Sequence, residues 1–176
     1  MQLLLISGSL RAGSSNAAVL ATAAALAPEG VTTTTYDGMA GLPHFNPDDD
    51  RDPLPGPVAE LRAAIGAASA VLFCTPEYAG ALPGSFKNLL DWTIGGGEMY
   101  QKPVAWINAS SVAAPTGGAG AHDSLRSVLT YAGTKIVEDA CARVPVVRAA
   151  VEDGLVTDPE IRARIAEAVT ALRDFA

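Results

Sequence analysis

Nine residues, Gly8-Ser9-Leu10-Arg11-Ala12-Gly13-Ser14-Ser15-Asn16, bring together groups suited to binding an anion. The hydroxyls of Ser9, Ser14 and Ser15 are donors, and Arg11 can fork two more hydrogen bonds onto a phosphate. Leu3 to Ile6, four consecutive apolar residues, precede them as a strand buried on both faces. Ala17 to Leu26, rich in alanine, follows as a helix. A strand, a Gly/Ser loop and a helix N-terminus together aim free backbone N–H groups and the positive end of a helix dipole at one point.

The spacing narrows which phosphate. A P-loop needs lysine where Ser14 stands, and the dinucleotide fingerprint G-x-G-x-x-G needs glycine where Leu10 stands. What remains suits a single terminal phosphate. The competing reading is an ordinary strand-to-helix turn in which a serine is only the N-cap.

The elements that must position this loop come from the whole chain. Its 176 residues, 49% hydrophobic and 18% charged, fit one compact α/β domain over residues 1–176. The net charge is −7, and no basic stripe runs along the sequence, so nucleic acid is not an expected partner. The first apolar run stops at Ile6, too short for a signal peptide or a membrane span, which makes the cytoplasm the expected location. Cys74 and Cys141 read as buried reduced thiols. Neither they nor the widely separated His44 and His122 have metal-ligand spacing, so no metal site is expected.

Along the chain, Val31–Tyr36, Ala70–Cys74, Val104–Asn108 and a short stretch near Lys135–Val137 read as further strands, and Ala142–Val147 as a segment that extends or pairs. Helices are expected after Pro57, over Ser85–Trp92 and Ala121–Tyr131, and from Pro159 behind an Asp158 N-cap, with Ile161, Ile165, Val169 and Leu172 buried. Asp37–Pro57 is a long loop, either mobile and solvated or a lid over a site or a neighbouring subunit. Gly95-Gly96-Gly97 reads as a flexible hinge.

Alternating strands and helices predict a doubly wound, five-stranded parallel sheet of order 2-1-3-4-5 with helices on both faces. Its ligand site lies beyond the carboxyl ends of strands one and three, at the switch point. There the Gly8 loop would meet the loop Thr75–Gly84, with Ala109–Gly120 beside them.

These loops resemble those of the NADPH-dependent FMN reductase family, the flavodoxin-like quinone, azo-compound and chromate reductases. Gly8, Ser9, Arg11, Ser14 and Asn16 match its pattern G-S-x-R-x-x-S-x-N, and Pro76, Glu77, Tyr78, Pro83, Gly84, Lys87, Asn88, Asp91 and Trp92 match P-E-Y-N-x-S-x-P-G-x-x-K-N-x-x-D-W. Ser110, Gly117 and Gly118 can be placed in its third loop. The resemblance implies that Ser9, Arg11, Ser14, Ser15 and Asn16 hold the FMN phosphate, while Pro76, Glu77, Tyr78, Ala79 and Gly80 lie along the isoalloxazine edge. Two departures stand out: Ala79 and Ala81 replace the family's Asn and Ser.

The resemblance further implies hydride transfer from NADPH or NADH through FMN to a quinone, free flavin, azo compound or similar small acceptor. No acid, base or nucleophile is needed for that hydride step, so no catalytic side chain is assigned, and Glu77 has nothing nearby in sequence to tune it. Lys87, Asn88, Asp91 and Trp92 read as helix surface with a packing or subunit contact, in keeping with a homodimer or homotetramer. Two other readings remain: a flavodoxin-type FMN electron carrier, and a non-redox module that binds flavin or phosphate.

Overall fold

The computed structural model describes residues 1–110 and 115–176; residues 111–114, within the expected third loop, lie outside the described residues. Strands β1 (Gln2–Ser7), β2 (Thr32–Tyr36), β3 (Ala70–Thr75), β4 (Pro103–Asn108) and β5 (Lys135–Ile136) form a parallel sheet in the order β2-β1-β3-β4-β5. This is the expected doubly wound topology. Its far edge is discontinuous, because β6 (Ala142–Arg143) also pairs parallel with β4, after a 3-10 turn over Glu138–Ala140. The segment Ala142–Val147, left open between extending and pairing, therefore pairs at its first two residues.

Side-chain alternation along the strands builds one core on each face. On one, Leu3, Leu5, Leu72 and Ile107 pack against α1 (Ser15–Ala25) and α5 (Pro159–Phe175), which contribute Val19, Ile165, Val169 and Leu172. On the other, Leu4, Ile6, Phe73 and Trp106 meet α2 (Gly56–Ala67), α3 (Gly84–Asp91) and α4 (Ala119–Tyr131) through Leu61, Ile65, Phe86 and Leu125. Each such side chain, fully buried, contributes about 1.5–3 kcal/mol. Asp158 caps α5 as expected, accepting from the Glu160 and Ile161 amides.

The turn at Asp153-Gly154 joins a small antiparallel hairpin of β7 (Val151–Glu152) and β8 (Leu155–Val156). Two-residue strands are too short to leave a pattern in the sequence. The hairpin docks on α1, where the buried Thr22 hydroxyl accepts from the Val156 amide at 2.9 Å.

The mobile, solvated reading of Asp37–Pro57 does not match its packing, for the segment is a strap tied to α3. Asn88 accepts from the Phe45 amide at 2.8 Å and donates to the Pro43 carbonyl, which also accepts from the Trp92 indole. Met39 is buried, and Arg62 links the Trp92 carbonyl to Asp50 at the strap's far end. Gly95 and Gly96 lie against the carboxylates of Asp50 and Glu98 respectively, which a Cβ there would displace. Among the described residues no helix is long and apolar enough to cross a membrane.

Candidate functional site

Register places the ends of the three central strands side by side. Ser7 lies opposite Cys74, and Thr75 opposite Asn108, so the loops after β1, β3 and β4 leave the sheet at one level. Backbone and side-chain hydrogen bonds then lock the loops together. The Gly8 amide donates to the Cys74 carbonyl at 2.8 Å, while Asn108 donates to the Thr75 carbonyl and accepts from the Ser110 amide.

In the first loop Ser14 is the N-cap of α1, accepting from the Ala17 amide at 3.1 Å. The capping role does not displace the anion-binding one. Capping uses one lone pair, and the amides of Ser15 and Asn16, in the first turn, are among those a helix cannot bond internally. Ser14 and Asn16 are each 6% exposed. Ser15 donates weakly to the Val146 carbonyl at 3.5 Å, and the Arg11 guanidinium makes no ion pair or hydrogen bond with a described residue.

The second loop turns over within four residues. Tyr78 and Ala81 exchange two backbone hydrogen bonds of 3.0 Å around Ala79 and Gly80, whose φ angles are +51° and +73°. Positive φ at both central positions is the signature of a type I′ turn, which favours Asn-Gly. Here the family's Asn has a physical reason, and Ala79 adopts the same conformation without the side chain that suits it.

Glu77 is tuned after all. Its carboxylate accepts from the Thr116 hydroxyl and from the Ala121 amide at 3.1 Å. The Thr116 hydrogen bond first, opposed next by burial and helped by the Ala121 and Gly120 amides, holds its pKa below the ordinary carboxylate value. Its partners lie about forty residues away, which is why sequence proximity missed them. Glu77 caps α4 from outside, because the N-cap residue itself, Gly118, has no side chain to do so. Gly118 and Gly120 must be small: a Cβ on the first would strike Asn108, and on the second the Gly80 carbonyl.

The three loops enclose a cleft of about 280 Å³ lined by Ser9, Arg11, Ser14, Ser15, Asn16, Pro76, Glu77, Tyr78, Ala109, Ser110 and Val146. Nine of the thirteen expected site residues line it. Ala79 and Gly80 form the exposed hairpin tip; Gly117 lines a neighbouring cleft, and Gly118 packs on Asn108. Ala109 and Val146 are additions. Ala109 adjoins β4, but no spacing links Val146 to a loop some 130 residues earlier.

Lys87 and Asp91 form an exposed ion pair one helical turn apart, whereas Asn88 and Trp92 are the strap's anchors, so α3 serves surface and packing as expected. Cys74 is buried, and Cys141 is only half-buried, less than expected. Burial raises both thiols, Cys141 to about 11.

A doubly wound parallel sheet with an anion-receptive loop after its first strand defines a flavodoxin-like protein. Residues 1–146 match the family model described as NADPH-dependent FMN reductase. An NAD(P)H-dependent FMN reductase of Pseudomonas aeruginosa is 40% identical over 128 residues, covering 72% of this chain and 68% of its own length. A quinone reductase of Escherichia coli K12 is 32% identical, covering 74% of this chain and 70% of its own. Among solved structures, FerB, a flavoenzyme NAD(P)H:(acceptor) oxidoreductase of Paracoccus denitrificans, superposes with a TM-score of 0.83 at 28% identity over 98% of this chain and 97% of that one. The chain belongs to the NADPH-dependent FMN reductase family. It is accordingly an oxidoreductase with FMN as flavin and NAD(P)H as reductant.

The donor set fits that flavin. The cleft offers a guanidinium, three hydroxyls and two helix N-terminal amides suited to a phosphate, together with Pro76, Tyr78 and Ser110 suited to a flat ring.

Proposed function

We propose that residues 1–176 act as a single FMN-binding reductase domain that passes reducing equivalents from NAD(P)H to a quinone, a free flavin or a similar electron-poor small molecule. The observation that carries this reading is the convergence on one cleft of five first-loop residues, from Ser9 to Asn16, with Pro76, Glu77, Tyr78 and Ser110. Bound FMN supplies the hydride relay. Arg11, Ser9, Ser14, Ser15 and Asn16 hold its phosphate; Pro76, Glu77, Tyr78 and Ser110 hold the ring edge. The acceptor class rests on the names of relatives, which include a 2-hydroxy-1,4-benzoquinone reductase of Burkholderia and an NADPH azoreductase of Bacillus.

The same reading includes a cytoplasmic location and a homodimer or homotetramer. Exposed Ile94, Tyr100 and Tyr131, the last of these ending α4, are apolar surface that supports such pairing. Sedimentation at working concentration tests it, and a monomer there removes it.

The decisive experiment is a visible spectrum of the protein after incubation with FMN and desalting, followed by anaerobic addition of NADPH or NADH. Retained flavin that bleaches with nucleotide and recovers with a quinone is the expected result. Retained flavin that neither nucleotide reduces overturns it in favour of an electron carrier, and absence of retained flavin favours a non-redox module.

A further inference from the structure

A second cleft, of about 470 Å³, opens beside the first and is lined by Gly117, Cys141, Ala142, Arg143, Pro145 and Arg164. Its two arginines come from separate elements, the end of β6 and the second turn of α5. Neither forms an ion pair or side-chain hydrogen bond with any described residue, although Glu160 lies one turn before Arg164. In a chain of net charge −7, two uncompensated guanidinium groups on one cleft concentrate the scarcer charge.

This cleft and the flavin cleft share a wall. Pro145 lines one and Val146 the other, and this stretch is pinned by the Val144 amide on the Asn108 carbonyl at 2.8 Å and by Ser15 on Val146. Gly117, from the loop that bounds the flavin cleft, closes the near side. The first loop already supplies a receptor for the phosphate of FMN, which leaves the second cleft free for another anion.

We propose that Arg143 and Arg164 receive the 2′-phosphate of NADPH and so make this protein discriminate NADPH from NADH. The inference rests on the reductase reading above. Guanidinium forks match phosphate oxygens bidentately, and a dianion is the group that distinguishes the two reductants. Because the two residues lie more than twenty positions apart on different elements, only the folded chain brings them to one cleft.

The test titrates the flavin-loaded protein with 2′,5′-ADP and with 5′-AMP by calorimetry, in the wild type and in Arg143→Ala, Arg164→Ala and the exposed control Arg148→Ala. The wild type is expected to bind 2′,5′-ADP more tightly. Each cleft variant should weaken 2′,5′-ADP at least about tenfold while leaving 5′-AMP within about twofold, and the control should change neither. Flavin bleaching by NADH should proceed at the wild-type rate in all three variants. Parallel losses for both adenylates, an equal loss in the control, or no preference in the wild type would overturn the proposal. Failure to retain flavin, visible as a colourless protein, would instead remove the reductase reading.

Discussion

The thiol of Cys74, on β3, donates to the side-chain carbonyl of Asn16, on α1, across 3.3 Å of buried space. Burial pushes the thiol pKa far above its ordinary value, so at neutral pH the sulfur keeps its proton and acts as donor. With its oxygen engaged, Asn16 has its amide nitrogen left for the cleft it lines, where an anion needs donors. Core packing and the phosphate loop meet in this pair.

Cys74→Ala should therefore loosen FMN as well as the fold. The orphaned Asn16 oxygen costs about 1–3 kcal/mol of stability, read as a lower urea midpoint, and FMN affinity measured by fluorescence quenching should fall with it. Cys74→Ser, which keeps a donor, should restore part of the affinity. FMN binding unchanged in the alanine variant would show that Asn16 does not depend on the thiol.

Arg11 is exposed and its guanidinium has no ion-pair partner among the described residues, so its removal should barely alter stability. Arg11→Ala is expected to weaken FMN by about 1.5–3 kcal/mol, the range for a hydrogen bond to a charged group, and to leave riboflavin nearly unaffected. Titrating both flavins into the same variant decides it: equal losses would place Arg11 away from the phosphate.

Glu77 should make the packing of α4 on the Pro76 loop sensitive to acid. Its folded pKa lies below the ordinary value of about 4.3, so its contribution is fully present above that value. It is lost as pH falls through the lower folded value. Solvent reaches the site, and the contribution should not exceed about 1 kcal/mol. Denaturation midpoints at a series of pH values should show wild type above Glu77→Gln at neutrality and the two converging in acid. A constant difference across the series would mean that the carboxylate charge is not what holds the contact.

What could be read from the sequence was what is local. Leu3–Ile6, the serines and Arg11 lie within one stretch, and hydrophobic runs mark the strands, so the sheet and the first-loop wall of the cleft follow from pattern and topology, whereas Pro76, Glu77, Tyr78 and Ser110 entered through the family resemblance. Val146, Arg143 and Arg164 reach the clefts only because β6 pairs with β4 and α5 packs against β4, and a two-residue strand leaves no periodicity. The strap was ambiguous for the same reason. Asn88 and Trp92 were visible as polar and aromatic helix positions, but their partner, the Pro43 carbonyl, belongs to a loop more than forty residues earlier.

Ala79 offers a test in the opposite direction, a substitution expected to stabilise. A residue with a Cβ at φ +51° loses roughly 1–2 kcal/mol relative to a right-handed conformation, and asparagine tolerates the left-handed region better than alanine because its short side chain bonds locally. The first central position of a type I′ turn is where that tolerance counts. Ala79→Asn should therefore raise stability by about 0.5–1 kcal/mol without altering the Tyr78–Ala81 pairing. Thermal unfolding of the two proteins side by side is the measurement. A destabilised asparagine variant would mean that the hairpin is held by its packing against Gly120 and not by the conformational preference of its own residues.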